Sequence, residues 1–205
     1  MTDLHPPLPE LRLQATNRSV EHFMVRDSRG DLFDLDAPYQ RGSVWDERRR
    51  VDLVRSLLMS LPIGSIIVSV LPWQKTAADA SWRVVDGKQR IETLRLFTSG
   101  GVAVPGSWFH GAHLNDEARR VADVTWDDLS DAGRRKFLNL PVSCLEFNGE
   151  TEWNRGDDGT WDHRQRSADE LLAAEAELFG LINGAGVDQS AEDMERAARI
   201  ARGEA

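Results

Sequence analysis

A short strand that turns directly into a helix sets the architecture we predict for this chain. Residues 82–85 are mostly apolar and β-branched, which is typical of a buried strand, and apolar residues recur at helical spacing over 91–97. The change falls at Asp86-Gly87, because an aspartate can accept from the first free backbone N–H groups of a helix and a glycine permits a sharp bend. We therefore expect a helix to begin directly after Gly87.

The first turn of this helix carries two cations, Lys88 and Arg90. Free N–H groups and the helix dipole already favour negative charge at a helix N-terminus, so cations there make sense beside an external anion such as phosphate. In the alternative interpretation, both side chains point into solvent or pair with Asp86 and Glu92. The residues alone leave both interpretations open.

Composition indicates one soluble domain. A chain of 205 residues with 40% hydrophobic content can bury one sizeable core. Cys144 is the only cysteine, which excludes an intrachain disulfide and a cysteine-based metal site, and we expect it in the core. The N-terminus does not resemble a signal peptide, and no stretch approaches the length of a membrane span. We expect a cytoplasmic protein with no membrane partner.

The formal net charge of −9 is unevenly spread. Residues 146–205 hold fifteen acidic and six basic residues, whereas residues 1–145 hold nineteen of each. This distribution argues against a broad basic face for DNA, although it allows a local basic groove.

Strands and helices alternate along the chain, which predicts a mixed α/β domain around a small sheet. Besides the central unit, we predict strands at 11–15, 32–35, 66–71, 102–104 and 141–147, and helices at 20–24, 46–61, 125–138, 167–183 and from 190 onward. Residues 1–18 are expected to form a flexible lead-in and 19–205 a single domain. Residues 148–166, with their Gly, Asp and Trp, are expected to form a mobile surface loop.

Two further features could bind a ligand. The helix at 46–61 carries a cluster of four arginines, which form either a solvated face or the border of an anionic ligand; they are Arg48, Arg49, Arg50 and Arg55. His110 and His113 lie three residues apart, a spacing that can hold a metal ion. No further ligand accompanies them, so we predict no metal site.

Four motifs in chain order carry a resemblance to a known family. They are Tyr39-Gln40-Arg41 with Trp45, the arginine-bearing helix that ends in Leu61-Pro62-Ile63-Gly64, the stretch from Val85 to Arg90 with Thr93-Leu94, and residues 178–186 followed by Ser190. Together they resemble the N-terminal domain of GmrSD-type restriction endonucleases, from about residue 19 to the end. That family is similar in fold to ParB and sulfiredoxin. The resemblance implies a mixed α+β fold, with a small sheet flanked by helices and a C-terminal helical extension.

The resemblance also implies a ligand, because ParB-like domains bind nucleoside triphosphates and some relatives of this family hydrolyse them in anti-phage defence. Arg41 and Arg90 would clamp phosphate oxygens, and Lys88 would add a point charge. Gln40 and Gly87 would complete this phosphate-binding set. Asn183 is a further candidate from the fourth motif, and C-capping of its own helix is the alternative role.

Hydrolysis with Mg²⁺ would depend on two further residues. Gln89 would orient water or the γ-phosphate, and Asp86 would either cap the helix or help to hold a hydrated Mg²⁺ ion. The chain departs from the family's usual aspartate-glycine-glutamine-glutamine-arginine motif, because Lys88 replaces the first glutamine. A lysine preserves phosphate affinity, but hydrolysis is in doubt if that glutamine orients the attacking water.

Two other classes of function remain open at this point. The same cations could grip a nucleic-acid phosphate in a non-catalytic DNA-binding or nuclease-recruiting module, or the motif could merely cap a helix in a structural subunit. The histidine-asparagine-histidine nuclease domain of longer relatives has no room in this chain. We therefore expect any DNA cutting to need a nuclease-bearing partner.

Overall fold

The structure is a computed structural model that describes residues 11, 13–27, 30–40, 45–71, 81–155, 159, 161–184, 195, 198–200 and 202–203. The α-helices are α1 (Glu47–Leu58), α2 (Lys88–Thr98), α3 (Asp131–Leu138) and α4 (Ala168–Gly184). The strands are β1 (Leu13–Ser19), β2 (Arg26–Asp27), β3 (Gly30–Asp31), β4 (Phe33–Asp34), β5 (Ile66–Val70), β6 (Trp82–Asp86), β7 (Val104–Pro105), β8 (Asp123–Val124), β9 (Pro141–Phe147), β10 (Thr151–Arg155) and β11 (Trp161–Gln165). Short 3₁₀ helices cover Val20–Met24, Gly106–Trp108, Gly111–His113, Ala118–Arg120 and Trp126–Asp128.

The central sheet has five strands in the order β1-β9-β5-β6-β4. β1 runs antiparallel to β9 and β5 antiparallel to β6, whereas β9 with β5 and β6 with β4 are parallel pairs. This mixed sheet with its flanking helices confirms the predicted mixed α/β class.

Each face of the sheet packs against its own hydrophobic core. Ile66, Val68 and Val84 belong to the core that contains residues of α1, α2 and α3. Ile67 and Val85 belong to the second core, which contains residues of α4. Neighbouring strand residues fall into different cores because successive side chains point to opposite faces. The central strands are thus buried on both sides, as their apolar runs predict.

Side-chain caps mark the start of α1 and α4. The Asp46 side chain accepts from Arg49 N at 2.8 Å, and α1 ends three residues before the predicted 61. Ser167 and Glu170 form a capping box: Ser167 N donates to Glu170 Oε2 at 2.8 Å, and Glu170 N donates to Ser167 Oγ at 3.2 Å. Local side-chain chemistry therefore fixes where both helices begin.

Other segments differ from the predictions. The loop predicted at 148–166 contains the antiparallel hairpin β10–β11, so that interpretation is wrong for its paired residues. The lead-in predicted for 1–18 overlaps β1 from residue 13 onward, because each residue of β1 pairs with β9. The helix predicted at 125–138 is divided into a 3₁₀ turn and α3. The helix predicted from residue 190 falls largely outside the described residues.

No helix among the described residues is long and apolar enough to cross a bilayer. In the same part of the chain, no group of three or more His, Cys, Asp or Glu side chains is arranged to hold a metal ion. His110 Nδ1 instead accepts from Ala112 N at 3.2 Å. Cys144 is buried in the core, as expected.

Candidate functional site

Three segments meet at the edge of the sheet where β6 leads into α2. Because β4 is parallel and β5 antiparallel to β6, the end of β4 and the start of β5 lie at the same edge as the end of β6. Residues 35–40 and 61–65 therefore border the turn at Asp86-Gly87. We call this region the β6–α2 junction.

Glycine is required at the turn itself. Gly87 has a φ of 101°, which side-chain-bearing residues rarely adopt, so the predicted sharp bend is confirmed. A Cβ at this position would lie 3.1 Å from Ile66 Cγ1 and 3.2 Å from Arg90 Nε. Gly64 lies on the other side, where an added Cβ would be 3.3 Å from Arg90 Nη1. The Arg90 guanidinium is therefore packed against backbone that carries no side chain.

Arg90 is held by two acceptors. Its Nη2 donates to Ser65 O at 2.9 Å and to Asp86 Oδ2 at 2.6 Å, while its Nε is buried without a hydrogen-bond partner among the described residues. Gly87 is the N-cap of α2, and as a glycine it has no side chain that could cap the helix. The expected capping role of Asp86 is therefore wrong, because its carboxylate binds the arginine one turn further along.

Lys88 also pairs within the chain. Its Nζ donates to Asp36 Oδ1 at 2.7 Å, and Glu92 Oε1 lies 4.0 Å away. The Lys88 side chain is only 13% exposed and that of Arg90 only 17%. Both cations thus form ion pairs, as one of the two interpretations held, and they are largely sheltered from solvent. Sequence reasoning missed Asp36; its position directly after the predicted strand at 32–35 was the available signal.

Gln89 joins α2 to the segment that precedes α1. Its Oε1 accepts from Trp45 N at 3.2 Å. The side chain proposed to orient water therefore also holds the entry to α1. This contact brings the first and third motifs of the sequence together.

Gln40 binds the sheet rather than pointing away from it. Its Nε2 donates to Val84 O at 2.6 Å and to Val85 O at 2.7 Å. The register of β5 against β6 shifts between Ile67 and Val68, so Val85 is an extra residue in a β-bulge. The Gln40 side chain thus donates hydrogen bonds to the backbone carbonyl groups at this bulge. Its Oε1 is buried and has no partner in the part of the chain that the structure describes.

The remaining candidates stand apart from these contacts. Arg41 lies outside the described residues, so its expected role with Arg90 in clamping phosphate oxygens stays a prediction. Asn183 lies in the last turn of α4, where its Nδ2 donates to Phe179 O at 2.9 Å. This bond within the helix end fits the alternative role given to Asn183.

A buried charge network lies beneath the junction, and sequence reasoning missed it. Glu175 of α4 is fully buried, and its Oε2 accepts from Arg83 Nη1 at 2.9 Å and from the Tyr39 hydroxyl at 3.4 Å. Arg83 Nε also donates to Asp34 Oδ2 at 2.9 Å. The Tyr39 ring packs against Phe179 with centroids 5.4 Å apart. The network thus connects α4 to β4, to β6 and to the segment 35–40.

Comparison with protein families finds a match to the GmrSD restriction endonuclease N-terminal domain over residues 21–197. The match covers most of the 205 residues and includes the whole β6–α2 junction and α4. Comparison with curated proteins and with solved structures finds no match. The chain therefore belongs to the family of GmrSD N-terminal domains, and its function is related to restriction endonucleases and phage defence.

Proposed function

We propose that this chain is a ParB-like domain that binds a nucleoside triphosphate at the β6–α2 junction as part of phage defence. The observation that carries the proposal is the pair of sheltered cations, Lys88 and Arg90, in the first turn of α2 beside Gly87. A helix N-terminus with charged donors beside it suits a phosphate.

Unpaired polar atoms at the junction support a ligand there. Two of the six buried side-chain atoms without a partner among the described residues belong to this region: Gln40 Oε1 and Arg90 Nε. Buried polar groups normally have partners, since leaving one unpaired is costly. A phosphate oxygen would accept from Arg90 Nε, and a hydroxyl or amino group of a nucleoside would donate to Gln40 Oε1.

Each residue has a role in the proposal. Arg90 would grip phosphate oxygens and Lys88 would supply point charge. Carboxylates are the ligands that a hydrated Mg²⁺ ion prefers, and Asp36 and Asp86 provide them next to the two cations. Arg41 and Asn183 stay in the proposal as further phosphate ligands, on the family resemblance alone.

Thermal shift against the four ribonucleoside triphosphates, with and without Mg²⁺, tests the proposal. Arg90→Ala should weaken binding by about 1.5–3 kcal/mol, or roughly ten- to a hundredfold, because a charge-assisted contact is lost. Arg95→Ala is the matched control, since Arg95 is 18% exposed and likewise donates to one carbonyl, Phe23 O at 3.0 Å, and one carboxylate, that of Asp31. Absence of stabilisation by every triphosphate would refute the proposal.

A second candidate is a module that binds nucleic-acid phosphates without catalysis, alone or with a nuclease-bearing partner. The Arg48 side chain favours it, because it is 91% exposed and its ion pair with Asp52 is long, at 3.9 Å. α1 also begins beside Trp45, which contacts Gln89 at the junction. Affinity for a DNA oligonucleotide at low and high salt separates the candidates. Binding to several DNA phosphates weakens steeply as salt rises.

A further inference from the structure

Each cation of the junction already has a carboxylate partner of its own. Asp36 binds Lys88 Nζ at 2.7 Å, and Asp86 binds Arg90 Nη2 at 2.6 Å. Carboxylate and phosphate oxygens are the same kind of acceptor for these charged donors. An anionic ligand must therefore compete with Asp36 and Asp86 for the N–H groups that would hold it.

We propose that Asp36 and Asp86 are built-in competitors that lower the affinity of the junction for anions; this inference rests on the proposed function. An anion that binds Lys88 must displace the Asp36 carboxylate, and an anion that binds Arg90 must displace the Asp86 carboxylate. Each displacement lowers the net gain from binding, so removing one of these carboxylates should raise the affinity for an anion.

The two aspartates differ in what else depends on them. Asp86 lies at the end of β6 and orients Arg90, which is also bonded to Ser65 O. The Asp36 side chain is 89% exposed, and Lys88 is the partner it binds. Removing the charge of Asp36 therefore takes away the shorter of the two carboxylate contacts of Lys88, since Glu92 Oε1 lies 4.0 Å away, and it has little effect on packing. This makes Asp36 the better position for a test.

Asp36→Asn is the test variant, and Asp116→Asn is its control. Asp116 is 88% exposed and pairs with Arg119 Nη1 at 2.8 Å, so both substitutions remove one exposed carboxylate from one ion pair. The measurement is the affinity for inorganic triphosphate by titration calorimetry in EDTA, which removes any contribution of a divalent ion. Thermal unfolding of both variants checks that each one folds.

We expect Asp36→Asn to bind inorganic triphosphate about two- to tenfold more tightly than the wild type, given the strength of partly exposed ion pairs, and Asp116→Asn to match the wild type. An equal gain in both variants would assign the effect to net charge and overturn the inference. Unchanged or weaker binding by Asp36→Asn would also overturn the inference, while wild-type binding of any Mg²⁺-bound ribonucleoside triphosphate would leave the proposed function intact. Failure of the wild type and both variants to bind inorganic triphosphate or any of the four ribonucleoside triphosphates would refute both.

Discussion

The Glu175 carboxylate in α4 accepts a hydrogen bond from Arg83 Nη1 in β6 at 2.9 Å, although 92 residues separate the two in sequence. Glu175 is fully buried, and Arg83 also binds Asp34 at the end of β4. Arg83 lies three residues before Asp86, so the pair fixes α4 to the strand that carries the candidate site. A buried charge that loses its partner is strongly destabilising.

Glu175→Ala should therefore lower the free energy of unfolding by about 3–5 kcal/mol, because Arg83 loses a buried counter-ion. Glu177→Ala is the control, since Glu177 lies two residues further along the same helix and is exposed. Urea unfolding of the two variants measures the difference. Equal stability of the two variants would show that the buried pair contributes nothing beyond an exposed glutamate.

The pKa of Tyr39 should lie far above that of a solvent-exposed tyrosine. Burial, followed by the nearby Glu175 carboxylate, holds the pKa of Tyr39 well above 10.0. A group whose pKa is raised by folding stabilises the folded state fully below its unfolded pKa and loses that contribution as the pH rises through the folded value. The contribution of Tyr39 to the free energy of unfolding should therefore fall as the pH rises above about 10.

The chain makes this measurement direct, because Tyr39 is its only tyrosine. Phenolate absorbance should show a midpoint near 10 in denaturant and a much higher one in the folded protein. Tyr39→Phe should remove the signal in both states. Coincident midpoints in folded and unfolded protein would mean that Tyr39 is exposed to solvent.

Gly87→Ala should destabilise the protein by about 1–3 kcal/mol, because the φ of 101° is strained for any side-chain-bearing residue. The added Cβ would also press against Ile66 at 3.1 Å. Gly180→Ala in α4 is an informative counterpart, since its Cβ would meet nothing within 4 Å. That change should stabilise by about 0.5–1 kcal/mol through helix propensity. Thermal unfolding should show shifts of opposite sign.

Cys144 should react with thiol reagents slowly until the protein unfolds. It is buried in β9, and burial, reinforced by Glu146, raises the pKa of the Cys144 thiol to about 11. The thiolate is the reactive form, so little of it exists at neutral pH. Reaction with a chromogenic disulfide reports this residue alone, because the chain has no other cysteine. Rapid reaction in the absence of denaturant would contradict the buried position.

Local signals in the sequence were sufficient for the elements that build the junction. The β6–Gly87–α2 unit and the capping box of α4 depend on residues within one or two turns, so their patterns could be read directly. The N-cap of α2 could not be predicted in this way. Arg90 lies one turn after Asp86 and donates a hydrogen bond to its carboxylate. The sequence alone does not decide whether Asp86 caps the helix or binds this arginine.

Partners distant in sequence explain the other omissions. Asp36 and Lys88 are 52 residues apart, and their pairing depends on β4 lying parallel to β6 at the edge of the sheet. Gln40 is bonded at a β-bulge, whose position is set by strand register rather than by composition. The β10–β11 hairpin was missed because the Gly and Asp residues of this segment favour turns and therefore predict a loop. Such features depend on tertiary packing.

Gln89 decides whether the junction catalyses hydrolysis or only binds. Hydrolysis needs a water in line with the leaving group and stabilised charge on the transferring phosphoryl oxygens. Gln89 is the one neutral side chain of its motif that can both accept from water and donate to phosphate, whereas Lys88 and Arg90 only donate. Gln89→Ala should therefore lower turnover far more than nucleotide affinity, and Arg90→Ala should lower both. Lys88→Gln should restore the family's usual motif and retain binding.

The bond from Trp45 N to Gln89 Oε1 at 3.2 Å supplies the control for this experiment. Gln89→Glu keeps an acceptor for Trp45 N but loses the amide donor and adds a negative charge, so the stability of this variant tests the role of Gln89 in holding the entry to α1. Phosphate release by purified protein is the measurement, with nucleotide affinity determined in parallel. If wild type and Gln89→Ala release phosphate at the same background rate and bind nucleotide equally well, the domain acts as a nucleotide sensor, because the residue best placed to position water then makes no difference to turnover.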